Sequence, residues 1–240
     1  MSRIVLLRHA HSTANLKNIL AGRTPGVGLS ARGEKQAEKL ITRIGPTRFD
    51  VIAVSPIARC SQTIAPWLSL HGKEKELMIE DGLSEVDYGD WSGKSLATLR
   101  RQKLWKVVQD HPSQMIFPNG ESLLEMQTRA IASFYRVEKV KGKNARLIVS
   151  HGDVIKAIVA HVLGMHLDQF QRLVIDPASI TIIDTDNGVS RLVTFNDQNG
   201  SLTNEVSTAT AVGGSTGNQK SGNQKSGNQK SGNQKSGNQR

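Results

Sequence analysis

The chain has 240 residues, 37% hydrophobic and 22% charged, with one cysteine, so it can bury a sizeable core and has no disulfide framework to rely on. The net charge of +10 invites a nucleic-acid reading, but five cations sit in a C-terminal repeat of TGNQK, three SGNQK and SGNQR, and without them the surplus is +5. The first apolar run, Ile4–Leu7, stops at Arg8 and His9, too short for a secretory or membrane-spanning segment, so a soluble, cytoplasmic protein is expected.

Short apolar runs then alternate with segments of helical period. Ile4–Leu7 reads as a strand covered on both faces. Ser30 can cap a helix in which Ala37, Leu40, Ile41 and Ile44 form one apolar stripe, stopped by Gly45-Pro46. Val51–Val54 is a second strand, and Ser55-Pro56 after it reads as the N-cap and first position of a helix that carries Arg59. Leu77–Ile79 is a further strand, followed by the loop of Leu83, Ser84 and Glu85. After Gly120 comes a helix with Leu123, Met126, Ala130, Ile131, Phe134 and Val137 on its buried side. Leu147–Val149 is a strand that delivers Ser150, His151 and Gly152 to the mouth of a helix running from about Asp153 to Leu163. Ser179–Asp184 and Val189–Phe195 flank Asp186-Asn187-Gly188 and read as a hairpin. The pattern predicts a layered α/β domain over residues 1–200 with a mainly parallel sheet and an antiparallel addition. A linker at 201–215 and a disordered basic tail at 216–240 follow, the tail having no apolar residue to bury.

Ligands of open α/β sheets bind at the carboxyl ends of strands. Three strand ends here bring Arg8, His9, Arg59 and His151 to one edge, and the loop after the fourth adds Glu85. Two guanidiniums, two imidazoles and helix amino termini suit a dianion such as a phosphoryl group. A neutral imidazole is a competent nucleophile and a glutamic acid beside it can protonate a leaving alcohol, which points to phosphoryl transfer through a phosphohistidine. A metallohydrolase competes with this, since His9-x-His11 puts two imidazoles on one face of an extended strand and His151-Gly-Asp153 could add ligands. That reading leaves Arg8 and Arg59 as cations beside a cation. A third is an anion-binding protein that uses its basic tail. Trp67, Trp91 and Trp105 read as core packing, and Cys60 as a small buried group.

The stretch Leu7-Arg8-His9-Ala10-His11-Ser12-Thr13-Ala14-Asn15 resembles the signature of the histidine phosphatase superfamily, also called phosphoglycerate mutase-like. Further matches follow in order: Gly28-Leu29-Ser30 with Gly33 and Gln36-Ala37, Ser55-Pro56-Ile57-Ala58-Arg59 with Gln62-Thr63, and Glu85 through Gly93. Pro118-Asn119-Gly120-Glu121-Ser122 and Ser150-His151-Gly152 complete the set. The resemblance covers about residues 3–195. It implies a three-layer α/β/α sandwich with a mixed, mainly parallel sheet, and His9 as the phosphorylated nucleophile, with Arg8, Arg59 and His151 holding the phosphoryl oxygens. Glu85 would protonate the leaving group and then act as base for water. Asn15, Gly22, Tyr88 and the Gly152 backbone would be secondary substrate contacts. Ala10 stands where most members carry glycine, and His11 is given no role.

The resemblance implies no metal or cofactor. The expected partner is a small phosphorylated substrate, with no membrane and with nucleic acid touched only weakly by the tail. The mutase branch typically has an arginine directly after the acid-loop glutamate, whereas this chain has Val86 and then Asp87, which favours the phosphatase branches. Mutase activity stays the alternative, because Arg100 and Arg101 could supply a missing cationic pair. They lie in an insertion between Gly93 and Gly120 that also holds Lys94, Lys103 and Lys106, and it reads equally as a basic lid or as a solvated helix face.

Overall fold

The computed structural model describes residues 2–72 and 77–202. Apart from Ser201 and Leu202, the expected linker and the repeat tail lie outside the described residues. The elements in chain order are β1 (Ser2–Arg8), α1 (Thr13–Leu16), α2 (Ala31–Ile44), β2 (Phe49–Val54), α3 (Ala58–His71), β3 (Leu77–Ile79), α4 (Leu96–Leu99) and α5 (Lys103–Asp110). They continue with α6 (Leu123–Glu138), β4 (Ala145–Ser150), α7 (Gly152–Val162), β5 (Ile180–Asp186) and β6 (Val189–Asp197).

Among the described residues six strands form one sheet in the order β3-β2-β4-β1-β5-β6. The first four positions are mutually parallel, while β5 runs antiparallel to β1 and β6 antiparallel to β5. Alternation along each strand creates the layers. Ile4 and Leu6 of β1, Ala53 of β2 and Ile148 of β4 face one way and pack with Met126, Ala130 and Phe134 of α6 and Ile155 and Ile158 of α7. Val5 and Leu7, Ile52 and Val54, and Leu147 and Val149 face the other way, against Leu40 and Ile44 of α2 and Cys60, Ile64 and Trp67 of α3. Strands covered on both faces are apolar at every position, which is why their runs in the sequence are continuous.

Local signals set the ends of most elements. Ser30 caps α2 by accepting from the Gly33 amide at 3.2 Å, and Ser122 with Glu125 forms a reciprocal capping box on α6. Such caps contribute about 1 kcal/mol each. Gly45 ends α2 with φ +58°, where a Cβ would be strained. Asn187 and Gly188, both at positive φ, close the β5–β6 hairpin. One expected start is corrected: α3 begins at Ala58 after Ile57, which makes no side-chain cap, so Ser55-Pro56 is not the start of this helix. Ser55 instead turns its Oγ to His151 Nε2 at 2.7 Å, because that fully buried imidazole has no water to bond.

The insertion folds as α4 and α5, and Lys94, Arg100, Arg101, Lys103 and Lys106 are all exposed. No helix among the described residues is long and apolar enough to cross a membrane.

Candidate active site

The parallel ladder carries its geometry past the strand ends. The His9 amide donates to the Ser150 carbonyl at 2.8 Å and the Ser55 amide to the Val149 carbonyl at 3.0 Å. The residues that follow β1, β2 and β4 are therefore held together before any side chain acts. They open into a cavity of about 500 Å³ whose wall includes Arg8, His9, Asn15, Gly22, Arg59, Glu85, Tyr88 and Gly152.

His9 is buried, and its Nδ1 lies 2.8 Å from the Ala10 carbonyl. A carbonyl only accepts, so Nδ1 carries the proton and Nε2 keeps a lone pair. Burial, then the charges of Arg59 and Arg8, holds the His9 pKa well below the usual histidine range, so the ring is neutral at neutral pH. Ala10 is fully buried, and its amide donates to Thr63 Oγ1 at 2.8 Å. The backbone here thus accepts a methyl group with both of its bonds made.

Arg8 donates through Nη1 to the Ile175 carbonyl, and Arg59 through Nη2 to the Gly22 carbonyl at 2.9 Å. Gly22 sits at φ +51°, and a Cβ there would come within 2.9 Å of the Tyr88 ring. Arg8 Nε and Arg59 Nε and Nη1 are buried with no hydrogen-bond partner among the described residues. A buried donor left so costs about 1–3 kcal/mol, more when charged. Gly152 opens α7 beside them, and a Cβ on it would lie 3.3 Å from the Arg8 guanidinium. The first amides of that helix have no intrahelical acceptors and add positive potential.

His151 is fully buried behind His9, with ring centroids 5.2 Å apart, and does not line the cavity. Its Nδ1 accepts from Arg59 Nη2 at 3.0 Å, which leaves Nε2–H to donate to Ser55. In this structure its hydrogen bonds therefore run to Arg59 and Ser55, not into the cavity. Burial, with Arg59 next, holds its pKa well below the usual range.

Glu85 is 8% exposed and its Oε1 accepts from the Val86 amide at 3.0 Å. Burial first, and the nearby Asp153 carboxylate second, lift its pKa to about 7 against the pull of Arg59 and Arg8. That value suits a carboxyl group that must give and take a proton near neutral pH. Tyr88 donates to Asp153 Oδ2 at 2.8 Å, and Lys156 stands 3.4 Å from Asp153 Oδ1. Asn15 is on the wall, but its Oδ1 accepts from the Ser12 amide and hydroxyl at 2.9 Å, so its carbonyl side belongs to the turn.

Other expectations sort cleanly. His11 turns away, with Nδ1 2.8 Å from Ser30 Oγ, so the two imidazoles of the metallohydrolase reading do not converge. Among the described residues no three His, Cys, Asp or Glu side chains are grouped as metal ligands. Cys60 is fully buried, and burial pushes its thiol up to about 12. Trp67 and Trp91 are buried, Trp105 is half-exposed, and Trp91 and Trp105 both line the cavity. The exposed insertion cations do not line it; the insertion contributes Leu96, Trp105, Val108, Gln109 and Phe117 instead.

A clamp on the acid loop was absent from the sequence reading. Arg129 on α6 donates to the Gly82, Ser84 and Glu85 carbonyls at 2.9, 2.6 and 3.1 Å, and pairs with Glu121 at 2.6 Å. Glu121 in turn accepts from the Asp87 amide at 2.7 Å. The available signal was Glu121 in its motif just before α6, with Arg129 two turns into that helix beside the buried Met126 and Ala130.

The model of the histidine phosphatase superfamily (branch 1) matches residues 4–198. Phosphoserine phosphatase 1 of Hydrogenobacter thermophilus is 30% identical over 188 residues, which is 76% of this chain and 86% of that protein. The 2,3-bisphosphoglycerate-dependent phosphoglycerate mutase of Cytophaga hutchinsonii is 28% identical, over 82% of this chain and 90% of its own length. Among solved structures, the alpha-ribazole phosphatase of Shigella flexneri superposes with a TM-score of 0.75 at 25% identity, covering 83% of this chain and 98% of that one. With its α/β fold and its convergent strand ends, the chain belongs to the histidine phosphatase superfamily, a family of phosphatases and mutases.

Proposed function

We propose that the protein is a metal-independent phosphomonoester hydrolase that works through a phosphohistidine on His9. The observation that carries this is the trio of buried, unpartnered guanidinium N–H groups on Arg8 and Arg59 around a neutral imidazole. A phosphoryl dianion supplies the acceptors those donors lack. His9 Nε2 attacks phosphorus as the P–O bond to the alcohol breaks, and Glu85 delivers its proton to the departing oxygen. Water then attacks the phosphohistidine, Glu85 takes a proton from it, the P–N bond breaks with its electrons returning to Nε2, and phosphate leaves. Arg8, Arg59 and the α7 amides hold the equatorial oxygens, where negative charge is held in the transition state. His151 keeps Arg59 in place, and Asn15, Gly22, Tyr88 and Gly152 complete the walls. The substrate is a small phosphorylated compound met in the cytoplasm, and the domain ends near residue 200 with the basic repeat outside it.

Hydrolysis is favoured over isomerisation because Lys156 is the one further cation on the cavity wall among the described residues, and it is committed to Asp153 and to Gln171 Oε1 at 3.1 Å. A phosphoglycerate needs cations for its carboxylate and second phosphate. The mutase relative keeps isomerisation as the second reading. Supplying 3-phosphoglycerate with catalytic 2,3-bisphosphoglycerate, and in parallel a phosphomonoester panel, separates them. Phosphate release from a panel member faster than isomer formation supports the hydrolase, and the reverse order rejects it. Activity should also persist in a strong chelator and be inhibited by vanadate; chelator inactivation reversed by a divalent ion would overturn the metal-independent mechanism.

A further inference from the structure

The cavity extends well beyond the phosphoryl end, and the chemistry of its walls changes there. Next to His9 the lining is cationic. The same cavity wall also includes the apolar Trp91, Phe117, Leu96, Trp105, Val108 and Leu173. It holds the polar Gln109, Gln171, Lys156 and Asp176 as well. Trp91 and Trp105 lie nearly parallel with centroids 6.2 Å apart, and Phe117 meets Trp91 edge-on at 5.4 Å. Trp91, Trp105 and Phe117 thus form a connected aromatic stretch in the wall of the cavity that a leaving alcohol shares with the phosphoryl group.

The charged groups in that outer part are engaged by protein. Asp153 is held by Tyr88 and Lys156, and Lys156 also reaches Gln171. Asp176 Oδ2 accepts from Asn196 Nδ2 at 2.8 Å and Gln198 Nε2 at 2.9 Å. A carboxylate or second phosphate on the alcohol would therefore find two carboxylates and one neutralised lysine. An ammonium group would have to compete with Tyr88 and Lys156 for Asp153 and with two amide donors for Asp176 Oδ2. An uncharged apolar body, by contrast, forfeits no ionic hydration on entering and covers the partly exposed surface of Trp105, Leu96 and Leu173.

We propose that the preferred substrates are phosphate monoesters of uncharged alcohols that carry an extended apolar or aromatic body, held between the insertion helices and the Trp91–Phe117 wall. This rests on the hydrolase reading of the same site. The experiment measures phosphate release from ethyl, butyl and hexyl phosphate, whose leaving groups are of nearly equal reactivity, beside phosphoserine and 3-phosphoglycerate. If each added methylene is buried, kcat/KM rises up to about fourfold per methylene, and hexyl phosphate exceeds ethyl phosphate by at least about tenfold. Hexyl phosphate also exceeds both charged substrates. Trp105→Ala, at a half-exposed position, lowers kcat/KM for hexyl phosphate and flattens the series. Val174→Lys, at a cavity-lining position that is 60% exposed, raises 3-phosphoglycerate relative to hexyl phosphate. A flat series, a preference for either charged substrate, or a series that Trp105→Ala leaves as steep as before would overturn the substrate class while phosphate release still upheld the hydrolase. Isomerisation with no phosphate released from any ester would instead remove the hydrolase reading and this proposal with it.

Discussion

Replacing Glu85 with Gln tests the acid and its environment together. Burial and Asp153 lift the Glu85 pKa from the ordinary 4.5 to about 7, which at about 1.4 kcal/mol per pH unit makes the folded protein resist its ionisation by about 3 kcal/mol. Between pH 4.5 and 7 the unfolded chain releases this proton while the folded chain keeps it, so stability falls by that amount across the window and is level above it. Gln cannot ionise and its amide oxygen can still accept from the Val86 amide. Glu85→Gln should therefore match the parent near pH 4.5 and exceed it by up to about 3 kcal/mol at pH 8, a rise in Tm of about 6–10 °C for a domain of roughly 200 residues. Activity moves oppositely, by about a hundredfold or more on alkyl phosphates and much less on activated aryl phosphates, which need little protonation. In the parent, kcat/KM for an alkyl phosphate should fall as pH rises through about 7, since the acid form is required. Asp153→Asn should draw that limb to lower pH by removing the neighbouring negative charge. Thermal melts at pH 4.5 and 8 and pH–rate profiles for parent and variants provide the readout. A variant no more stable than the parent at pH 8, or one that retains the alkaline limb, would refute the assignment of a buried, protonated Glu85.

His9→Ala should lower turnover at least about a thousandfold and abolish the phosphoenzyme, and rapid acid-sparing quench with labelled ester checks this; label on another residue would reject the nucleophile. Arg129→Met should release the acid loop by removing its bonds to three carbonyls and to Glu121. The expected signature is a kcat loss of tenfold or more on alkyl phosphates that shrinks on aryl phosphates, with Arg129→Lys restoring part of it; equal losses on both would mean that Arg129 serves the fold and not the acid.

The amino-acid sequence by itself determined the layers and singled out the candidate site residues. Continuous β-branched runs specify strands buried on both faces, the Ser30 and Ser122 caps and Gly45 set helix ends, and Asn187-Gly188 sets a hairpin, because each is a short-range choice made within a few residues. Arg8, His9, Arg59, Glu85 and His151 were legible because each follows a strand or sits in a motif close to one. What each group meets was decided only by tertiary structure. Ser55 reads locally as a helix cap, yet it bonds His151, 96 positions away, and Arg129 clamps a loop 44–47 positions away. The insertion shows the same limit: its five cations stand out in the sequence, but their long side chains keep their hydration, and the folded cavity receives Leu96, Trp105 and Val108 instead. Protonation followed the same division, since a pKa is a property of burial and neighbouring charge, and neither exists for Glu85 until Asp153, Arg59 and the core have closed around it.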